Sequence, residues 1–447
     1  MTDLPHRFPD REEIAAVRAE AEALEPQATG AEHALAGRVM GRRDMGKLVF
    51  LDLADRSGQI QLLAQPDELG GLDVDLGDVV GVRGQATKTK RGEPSLSVTE
   101  LQLLAKIQRP LPDTYHGVVD AETRYRKRYL DLLVNEETRR DFLIRSEMVA
   151  AIRRFLDARG FVEVETPILQ PRYGGALAEP FVTHSNELDA DLYLRIADEL
   201  YLKRLIVGGL EKVYEISKDF RNESISYKHQ PEFTMLEWYE AYADYEDAMA
   251  LIEELLRVVT EEATGSAKVT FRGQKIDFGP AWQRLSLIGA LEAEGIWTRD
   301  ADELRGRLQE REIDTGADET WAQLVDHALS QLVEPKLVQP TILYDYPVEL
   351  SPLARLKEGE EGIVERFEYF AGGMELGNAY SELNDAEEQA ARFAEMGAED
   401  PDYVEALSYG MPPTAGLGLG IDRLSMLLTG RDTIRDVILF PTLRPTE

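Results

Sequence analysis

The stretch FRNESISYKHQPEFTMLE, residues 220–237, sets an arginine, a histidine and three carboxylates around a short loop, with strand-like alternation on either side. A side-chain period of two puts Arg221 and Glu223 on one face. In PEFTMLEWY it gathers Phe233, Met235, Glu237 and Tyr239, while Thr234, Leu236 and Trp238 turn to the core behind. If the two runs pair across the loop SISYKHQ, one surface carries a guanidinium, carboxylates and aromatic rings. A guanidinium grips phosphate through two parallel hydrogen bonds and an aromatic face stacks on a base, so this surface suits a nucleotide. The plain alternative is a salt-bridged sheet surface.

Two further stretches carry matching chemistry. In VERFEYFAGGMELGNAYSELND the AGG turn lets Glu368 and Glu375 approach across a hairpin, and two carboxylates with open positions are what Mg²⁺ on a triphosphate takes. Asn378, Tyr380 and Glu382 share a strand face, but Glu375 has the opposite parity; a bulge at Gly377 would re-aim the strand and bring all four to one site. In PPTAGLGLGIDRLSMLL, Gly416, Gly418 and Gly420 alternate along a strand and leave one face bare for a flat ligand, with Arg423 at the start of an amphipathic helix. GLGLG is not the dinucleotide GxGxxG pattern. Gly41-Arg-Arg-Asp-Met-Gly46-Lys47-Leu48 misses the P-loop pattern at its last position, where Leu48 has no hydroxyl for Mg²⁺.

These stretches need a scaffold. From 31 to 108, the runs ALAGRVM, KLVFLDLAD, QIQLLAQ, DVVGVRGQATKT and SLSVTELQLLA, separated by Gly, Asp and Pro, predict a small closed five-stranded barrel of the OB type. Residues 11–24, inside an N-terminal extension of 1–30, predict a short exposed helix, and Arg109-Pro110-Leu111-Pro112 opens a stiff linker over 109–125. Residues 126–447 make the larger domain. They begin with a helix at 141–159 that places Ile144, Met148, Ile152, Phe155 and Leu156 on one face, stopped by Gly160. The strand FVEVETP follows, then strand-like runs at 191–196, 212–223, 232–242, 342–350, 366–382 and 414–421, and a mostly helical insertion at about 246–335. The expected class is α+β, an antiparallel sheet flanked by helices next to the barrel.

The 447 residues carry a net charge of −33, which argues against a polyanionic partner. Residues 31–108, however, hold 10 Lys or Arg against 11 Asp or Glu, so the barrel is nearly neutral, with basic runs at Arg42-Arg43, Lys47 and Lys88-Thr-Lys90-Arg91. No window approaches the ~18 uninterrupted apolar residues of a membrane span, and the N-terminus lacks both the basic and the apolar region of a secretory signal. Zero cysteines exclude disulfides and thiolate metal sites and fit a reducing cytoplasm. Six histidines without His-x-x-His spacing disfavour a zinc site.

FRNE…HQPEFTMLE resembles motif 2, GLGLGIDRL motif 3 and RGFVEVETPIL motif 1 of the class II aminoacyl-tRNA synthetases. The strings GGALAEPFVTHSNELDADLYLRIADELYLKRL, SPLAR, MELGNAYSELND and TIRDVILFP resemble the lysyl-tRNA synthetases in particular, and the resemblance covers about residues 31–447. It implies an ATP-dependent ligase that makes lysyl-adenylate and charges tRNA(Lys), with an OB-fold anticodon-binding domain and a six- or seven-stranded antiparallel catalytic sheet. It also implies Mg²⁺ bound with ATP, and a homodimer built around motif 1. By matching motif, Arg221 would hold the α-phosphate and Arg423 the γ-phosphate, as the catalytic pair. Glu223, His229, Gln230, Phe233 and Glu368 would contact ATP, and Glu368 and Glu375 would bind Mg²⁺. Gly175, Glu199, Glu237, Tyr239, Asn378, Tyr380 and Glu382 would line the lysine pocket, with Glu382 against the ε-ammonium. Phe50, Gln61 and Glu100 would read anticodon bases by stacking and edge hydrogen bonds. The residue types agree with these roles, because a pocket of carboxylates offsets the desolvation of lysine's two ammonium groups.

The chain departs from the family's usual pattern at Glu179, where the family has Arg, at Gln230, where it has Asn, and after SPLAR, where Leu356-Lys-Glu-Gly replaces Arg-Asn. Glu179 reverses a charge beside the substrate region. The N-terminal extension is short and acidic, and the stretch between Phe393 and Tyr403 is shorter than usual. Two other activities stay open on the sequence. One is a paralogue that makes the adenylate but passes lysine to another acceptor or forms dinucleoside polyphosphates; the other is a non-catalytic RNA-binding relative. Joint retention of Arg221, Glu368, Glu375 and Arg423 speaks against the second, because a binder has no use for a phosphate-gripping set.

Overall fold

The computed structural model describes residues 4–112, 117–176, 178–316, 320–395 and 400–446. The chain forms two compact units, Met1–Asn135 and Glu136–Glu447. In the first, the strands Thr29–Met45, Leu48–Ala54, Gln59–Ala64, Val79–Lys88 and Pro94–Ala105 close a barrel in which the third and fifth strands pair in parallel and the other pairs are antiparallel. Alternation along Leu48–Ala54 sends Val49, Leu51 and Leu53 into the barrel core and leaves Phe50 and Asp52 on the outer wall. Gly41–Leu48, the near P-loop, is a hairpin turn with Gly46 at φ +67°, not a loop that opens a helix.

The N-terminal helix, Ile14–Ala23, is not the exposed helix expected from its charged residues. Ile14, Val17 and Ala21, three and four residues apart, are buried in the barrel core. The barrel also caps the helix: Asp55 accepts the backbone N–H of Ile14 at 3.2 Å and Ser57 Oγ that of Ala15 at 3.0 Å. Helices Ala121–Arg126 and Arg128–Val134, divided in the sequence reading between linker and larger domain, belong to this first unit, and residues 113–116 of the linker lie outside the described residues.

In the second unit, eight strands among the described residues form one sheet in the order Gln283–Ser286, Thr341–Pro347, Ile363–Ala371, Met374–Ser381, Thr414–Gly420, Glu232–Ala241, Lys212–Phe220 and Val162–Glu163. The six central strands are antiparallel, and each edge strand pairs in parallel with its neighbour. The six antiparallel strands match the expected six or seven, and the two parallel edge strands extend the sheet to eight. Gln283–Ser286, read as part of an insertion, joins one edge. Of FVEVETP only Val162–Glu163 pairs at the other edge; beyond it the Thr166 N–H turns to the Glu215 carboxylate at 3.1 Å and not to a strand partner.

Helices Glu136–Asp157, Tyr245–Thr264 and Ile421–Thr429 share a core with the sheet. Met148, Ile152, Ile252, Leu256, Leu424 and Leu427 meet Leu236, Trp238, Phe367, Tyr369 and Leu417 there. Tyr245–Thr264 therefore belongs to the main core and not to an insertion. Asp244 starts it in a reciprocal capping box with Asp247, and Gly265, in the left-handed region, stops it. Beyond it, Leu291, Leu304, Leu308, Leu324 and Val325 build a separate cluster against Leu343 and Phe370 of the sheet.

Candidate active site

The hairpin Lys212–Phe220/Glu232–Ala241 pairs in the register Asp219↔Phe233, Ser217↔Met235, Glu215↔Glu237 and Val213↔Tyr239. Arg221 and Glu223 lie beyond the strand end, so loop geometry and not sheet parity sets their direction. The Arg221 backbone N–H bonds the Pro231 carbonyl at 2.9 Å, its Nε donates to the Ile196 carbonyl at 3.3 Å, and its guanidinium stands 5.2 Å from the centre of the Phe233 ring. At the loop's far side His229 Nε2 accepts from Arg423 at 3.2 Å while Nδ1 meets Ser226 Oγ at 2.7 Å. Loss of hydration, then the charges of Arg423 and Lys228, push the His229 pKa down to about 4, so the ring is a neutral acceptor.

The hairpin Ile363–Ala371/Met374–Ser381 turns through Gly372 and Gly373, both at positive φ. Its register jumps from Tyr369↔Gly377 to Phe370↔Glu375, which makes Leu376 the extra residue of a bulge beside Gly377, where parity demands one. Arg423, in the first turn of Ile421–Thr429, donates to both the carbonyl and the carboxylate of Glu375 at 2.9 Å. Asp422, next to it, fixes that helix by accepting the Thr234 N–H at 2.7 Å and pairing with Arg145 at 2.6 Å. Glu368 pairs with Arg366 at 2.7 Å. Burial raises the Glu368 carboxyl to about 7, with Arg366 opposing and Glu375 adding to the rise. Burial also disfavours ionisation of Glu375, but Arg423 overcomes it and holds that carboxyl below its ordinary value.

A cavity of about 1090 Å³ opens between these strands and the chain around Gly175, and it brings together Gly175, Glu199, Arg221, Glu223, Glu237, Tyr239, Asn378 and Tyr380. The glycine strand shapes its wall. A Cβ on Gly416 would run into Glu382 Oε1 and the Tyr239 ring, whereas one on Gly418 would come no nearer than 3.5 Å to Asn378, Met235 or Glu237. Glu237 is buried and accepts from the Tyr239 hydroxyl at 3.0 Å. Burial, then Asp219 and Glu199, raise its pKa to about 8. Arg195 lies within 3.3 Å of Asp198, Glu215 and Asp219, so one guanidinium serves three carboxylates beside Glu237. Such an excess of buried acid calls for a cationic ligand.

Besides His229, Glu368, Glu375 and Arg423, the expected residues of the second unit that do not line this cavity are Gln230, Phe233 and Glu382. Gln230 is buried, precedes Pro231 and alternates with His229, which turns its amide inward; that amide has no hydrogen-bond partner among the described residues. Phe233 lies under Arg221. Glu382 stands behind Gly416 with its carboxylate on the buried ammonium of Lys203. Glu100, in the barrel, is exposed beside Arg83 at 3.9 Å, five positions along its strand from Ser95 and past a register shift. Ser95 instead accepts from Gln61 at 2.9 Å, and Gln61 in turn accepts from Arg43 at 3.1 Å. Phe50 lies diagonally across from Gln61, because Phe50 pairs with Leu63 and Asp52 with Gln61.

Lys203, Arg366 and the Arg195 cluster escaped the sequence reading. Lys203 follows Glu199 at helical spacing and Arg366 precedes Glu368 at strand spacing, so both carried a signal. Asp198 and Asp219 carried none. Of the departures, Glu179 lines the cavity and its carbonyl accepts the Asn222 N–H at 2.8 Å. Lys357 pairs with Asp345 at 2.5 Å and Glu360 at 2.8 Å. Residues 396–399, within the short stretch after Phe393, lie outside the described residues.

Arg221 thus stands just past the end of a hairpin strand and Arg423 on the helix after the glycine strand, with acidic residues between them, on a mainly antiparallel sheet. The family model for tRNA synthetases class II (D, K and N) matches residues 120–444, and that for the OB-fold nucleic acid binding domain matches 34–104. The chain belongs to the lysine–tRNA ligase family. It is 50% identical over 441 residues to the lysine–tRNA ligase of Roseiflexus castenholzii, covering 94% of this chain and 90% of that one. It is 49% identical to that of Moorella thermoacetica, again covering 94% and 90%, and 48% identical to that of Serratia proteamaculans, covering 95% and 88%. Among the described residues no helix is long and apolar enough to cross a membrane.

Proposed function

We propose that the cavity is where the carboxylate of L-lysine attacks the α-phosphorus of ATP, releasing pyrophosphate and leaving lysyl-adenylate. The terminal ribose hydroxyl of tRNA(Lys) then takes the lysyl group and AMP departs. The observation that carries this reading is the acid-rich cavity with Arg221 on its wall, in a member of the lysine–tRNA ligase family. The nucleophile is already a carboxylate, so the protein need supply no covalent intermediate. Its work is positioning and charge stabilisation.

Arg221, held by the Ile196 carbonyl and the Phe233 ring, steadies charge developing at the α-phosphoryl group. Arg423, with neutral His229 accepting from it, grips the far end of the triphosphate. Glu199 and Glu237 meet the ammonium groups of lysine, and Tyr239 and Tyr380 keep water from them. Glu368 and Glu375 are oxygen donors facing each other's charge, the first driven up by burial and by Glu375 in spite of Arg366, and this donor set fits Mg²⁺ held jointly with ATP. Bound there, Mg²⁺ supplies charge neutralisation of the phosphates. The outer wall at Phe50 and Gln61 serves the anticodon. A homodimer is supported by exposed apolar residues in and after motif 1, among them Val162, Ile168, Leu169, Tyr173 and Val182, and a cytoplasmic setting by the chain's lack of cysteine.

The test is direct charging: purified protein, ATP, Mg²⁺ and radiolabelled lysine should esterify lysine to a tRNA(Lys) transcript and not to a tRNA with another anticodon. Lysyl-adenylate formed without any transfer to tRNA(Lys) would favour the paralogue that serves another acceptor.

A further inference from the structure

Lys203 has no part in the reaction as set out above, yet its surroundings are unusually demanding. It sits on the helix Glu199–Val207, four residues after Glu199, with its side chain wholly buried. Its Nζ lies 2.5 Å from Glu199 Oε1 and in contact with Glu382 Oε2, with the rings of Tyr380 and Tyr239 centred 5.3 Å and 6.0 Å away. The second oxygen of each carboxylate is turned elsewhere. A Cβ on Gly175, a cavity residue, would come within 3.7 Å of Glu199 Oε2. Glu382 Oε1 has no hydrogen-bond partner among the described residues and would be struck by a Cβ on Gly416, another cavity residue. The absence of a side chain at Gly416 is thus a gap in the wall, with an unpartnered carboxylate oxygen just behind it.

We propose that Lys203 is a positioning residue for amino-acid recognition, a role that rests on the lysine site proposed above: by holding one oxygen of Glu382 and one of Glu199, it fixes both carboxylates in place and aims the free Glu382 oxygen through the gap at Gly416 towards the side-chain ammonium of the substrate. Lys203 itself does not touch the substrate. Its fixed charge offsets part of the cost of burying the two acids.

The neighbours of Glu382 show what happens without it. Glu199 from the helix and Glu237 from the strand Glu232–Ala241 repel its negative charge, and the tyrosines facing it are Tyr380 from its own hairpin, Tyr239, and Tyr403 from the helix Pro401–Ser408. Burial, then Glu199 and Glu237, favour the protonated carboxyl, and Lys203 is the opposing group. Remove the ammonium and the balance at Glu382 moves further towards the protonated carboxyl, while its free oxygen loses the partner that aims it at the gap.

Lys203→Met keeps the length of the side chain and removes its charge. Lysine and ATP KM values would be measured by ATP–pyrophosphate exchange between pH 6.5 and 9, beside the wild type. The expected result is a lysine KM raised roughly 100-fold or more at neutral pH, as for a broken buried ion pair, with the ATP KM within about twofold. The lysine KM of the variant should fall further with rising pH than that of the wild type, a recovery that a merely structural lysine would not show. Lys203→Met/Glu382→Gln leaves one buried carboxylate fewer without its cation and so guards against misfolding of the single variant; it should bind lysine weakly at every pH, without that recovery. A near wild-type lysine KM in either variant, or a single variant weakened equally at every pH, overturns the proposal. A wild type that shows no lysine-dependent exchange overturns the lysine site itself.

Discussion

Lysine affinity should titrate with Glu237. This buried carboxyl is raised to about 8 by burial, then by Asp219 and Glu199, against a hydrogen bond from Tyr239. Asp198 stands in the same cluster, with Arg195 as its shared cation. With a pKa of about 8, only about one ligand-free molecule in eleven carries an ionised Glu237 at pH 7. A substrate with two ammonium groups prefers the ionised form, so its binding expels a proton and becomes tighter as pH rises. The lysine KM should fall about tenfold per pH unit from 6 to 8 and level off above, and the protonation costs about 1.4 kcal/mol of binding at pH 7. Glu237→Gln should flatten the profile and weaken lysine at pH 8.5, with the ATP KM unmoved. The assay is ATP–pyrophosphate exchange at saturating ATP, with lysine varied at each half-unit of pH. A wild-type KM that is flat from pH 6 to 8, or a slope that persists in Glu237→Gln, refutes the reasoning. The same shift bears on folding. An unfolded carboxyl ionises near 4.5 and the folded one near 8, so the folded chain holds the extra proton in between and loses stability as pH rises through that window. In denaturant titrations Glu237→Gln should remove that share of the decline, at most about 1.4 kcal/mol per pH unit.

Three other outcomes are expected. Gly416→Ala drives a methyl into Glu382 and Tyr239, an overpacking of about 1–3 kcal/mol, so the lysine KM should rise at least tenfold with the ATP KM held; an unchanged lysine KM would mean the wall at Gly416 is not part of the pocket. Glu375→Ala should cripple exchange without lowering Tm by more than a few degrees, and Mg²⁺ should bind weakly to the free wild type but tightly to its ATP complex; normal exchange in the variant removes the two-carboxylate account. Phe50→Ala, on the outer wall of the barrel, should lower charging of tRNA(Lys) by the equivalent of about 1–3 kcal/mol while exchange stays intact, and equal losses in both assays would contradict a role confined to the anticodon.

Period-two alternation made much of the catalytic sheet legible. It placed Leu236 and Trp238 in the core and Glu237 and Tyr239 opposite, and the wrong parity of Glu375 called for a bulge where the register does jump. It failed at chain ends and long-range pairings. Arg221 sits where the strand has stopped, and Gln283–Ser286 is four residues whose membership in the sheet depends on a parallel partner nearly sixty positions away. The N-terminal helix looked exposed because three small or apolar contacts among many charges gave a weak stripe, and only the barrel's own surface decides that they are buried. At the site, motif resemblance supplied residues but not their partners. That Glu382 is held by a lysine, and that Asp198, Glu215 and Asp219 share Arg195, follow from three-dimensional packing of a helix on two strands, for which no local spacing rule exists.

The most direct measurement of the central claim is ATP–pyrophosphate exchange run with each of the twenty amino acids in turn, at fixed ATP and Mg²⁺. An acid-rich cavity in a chain of this family predicts exchange driven by lysine, with arginine and the neutral amino acids far behind and aspartate and asparagine inert, since aspartate would add a negative charge to the buried acids and asparagine would bring them no side-chain cation. Exchange driven best by aspartate or asparagine, or no lysine-dependent exchange from a folded protein that still binds ATP, would contradict it.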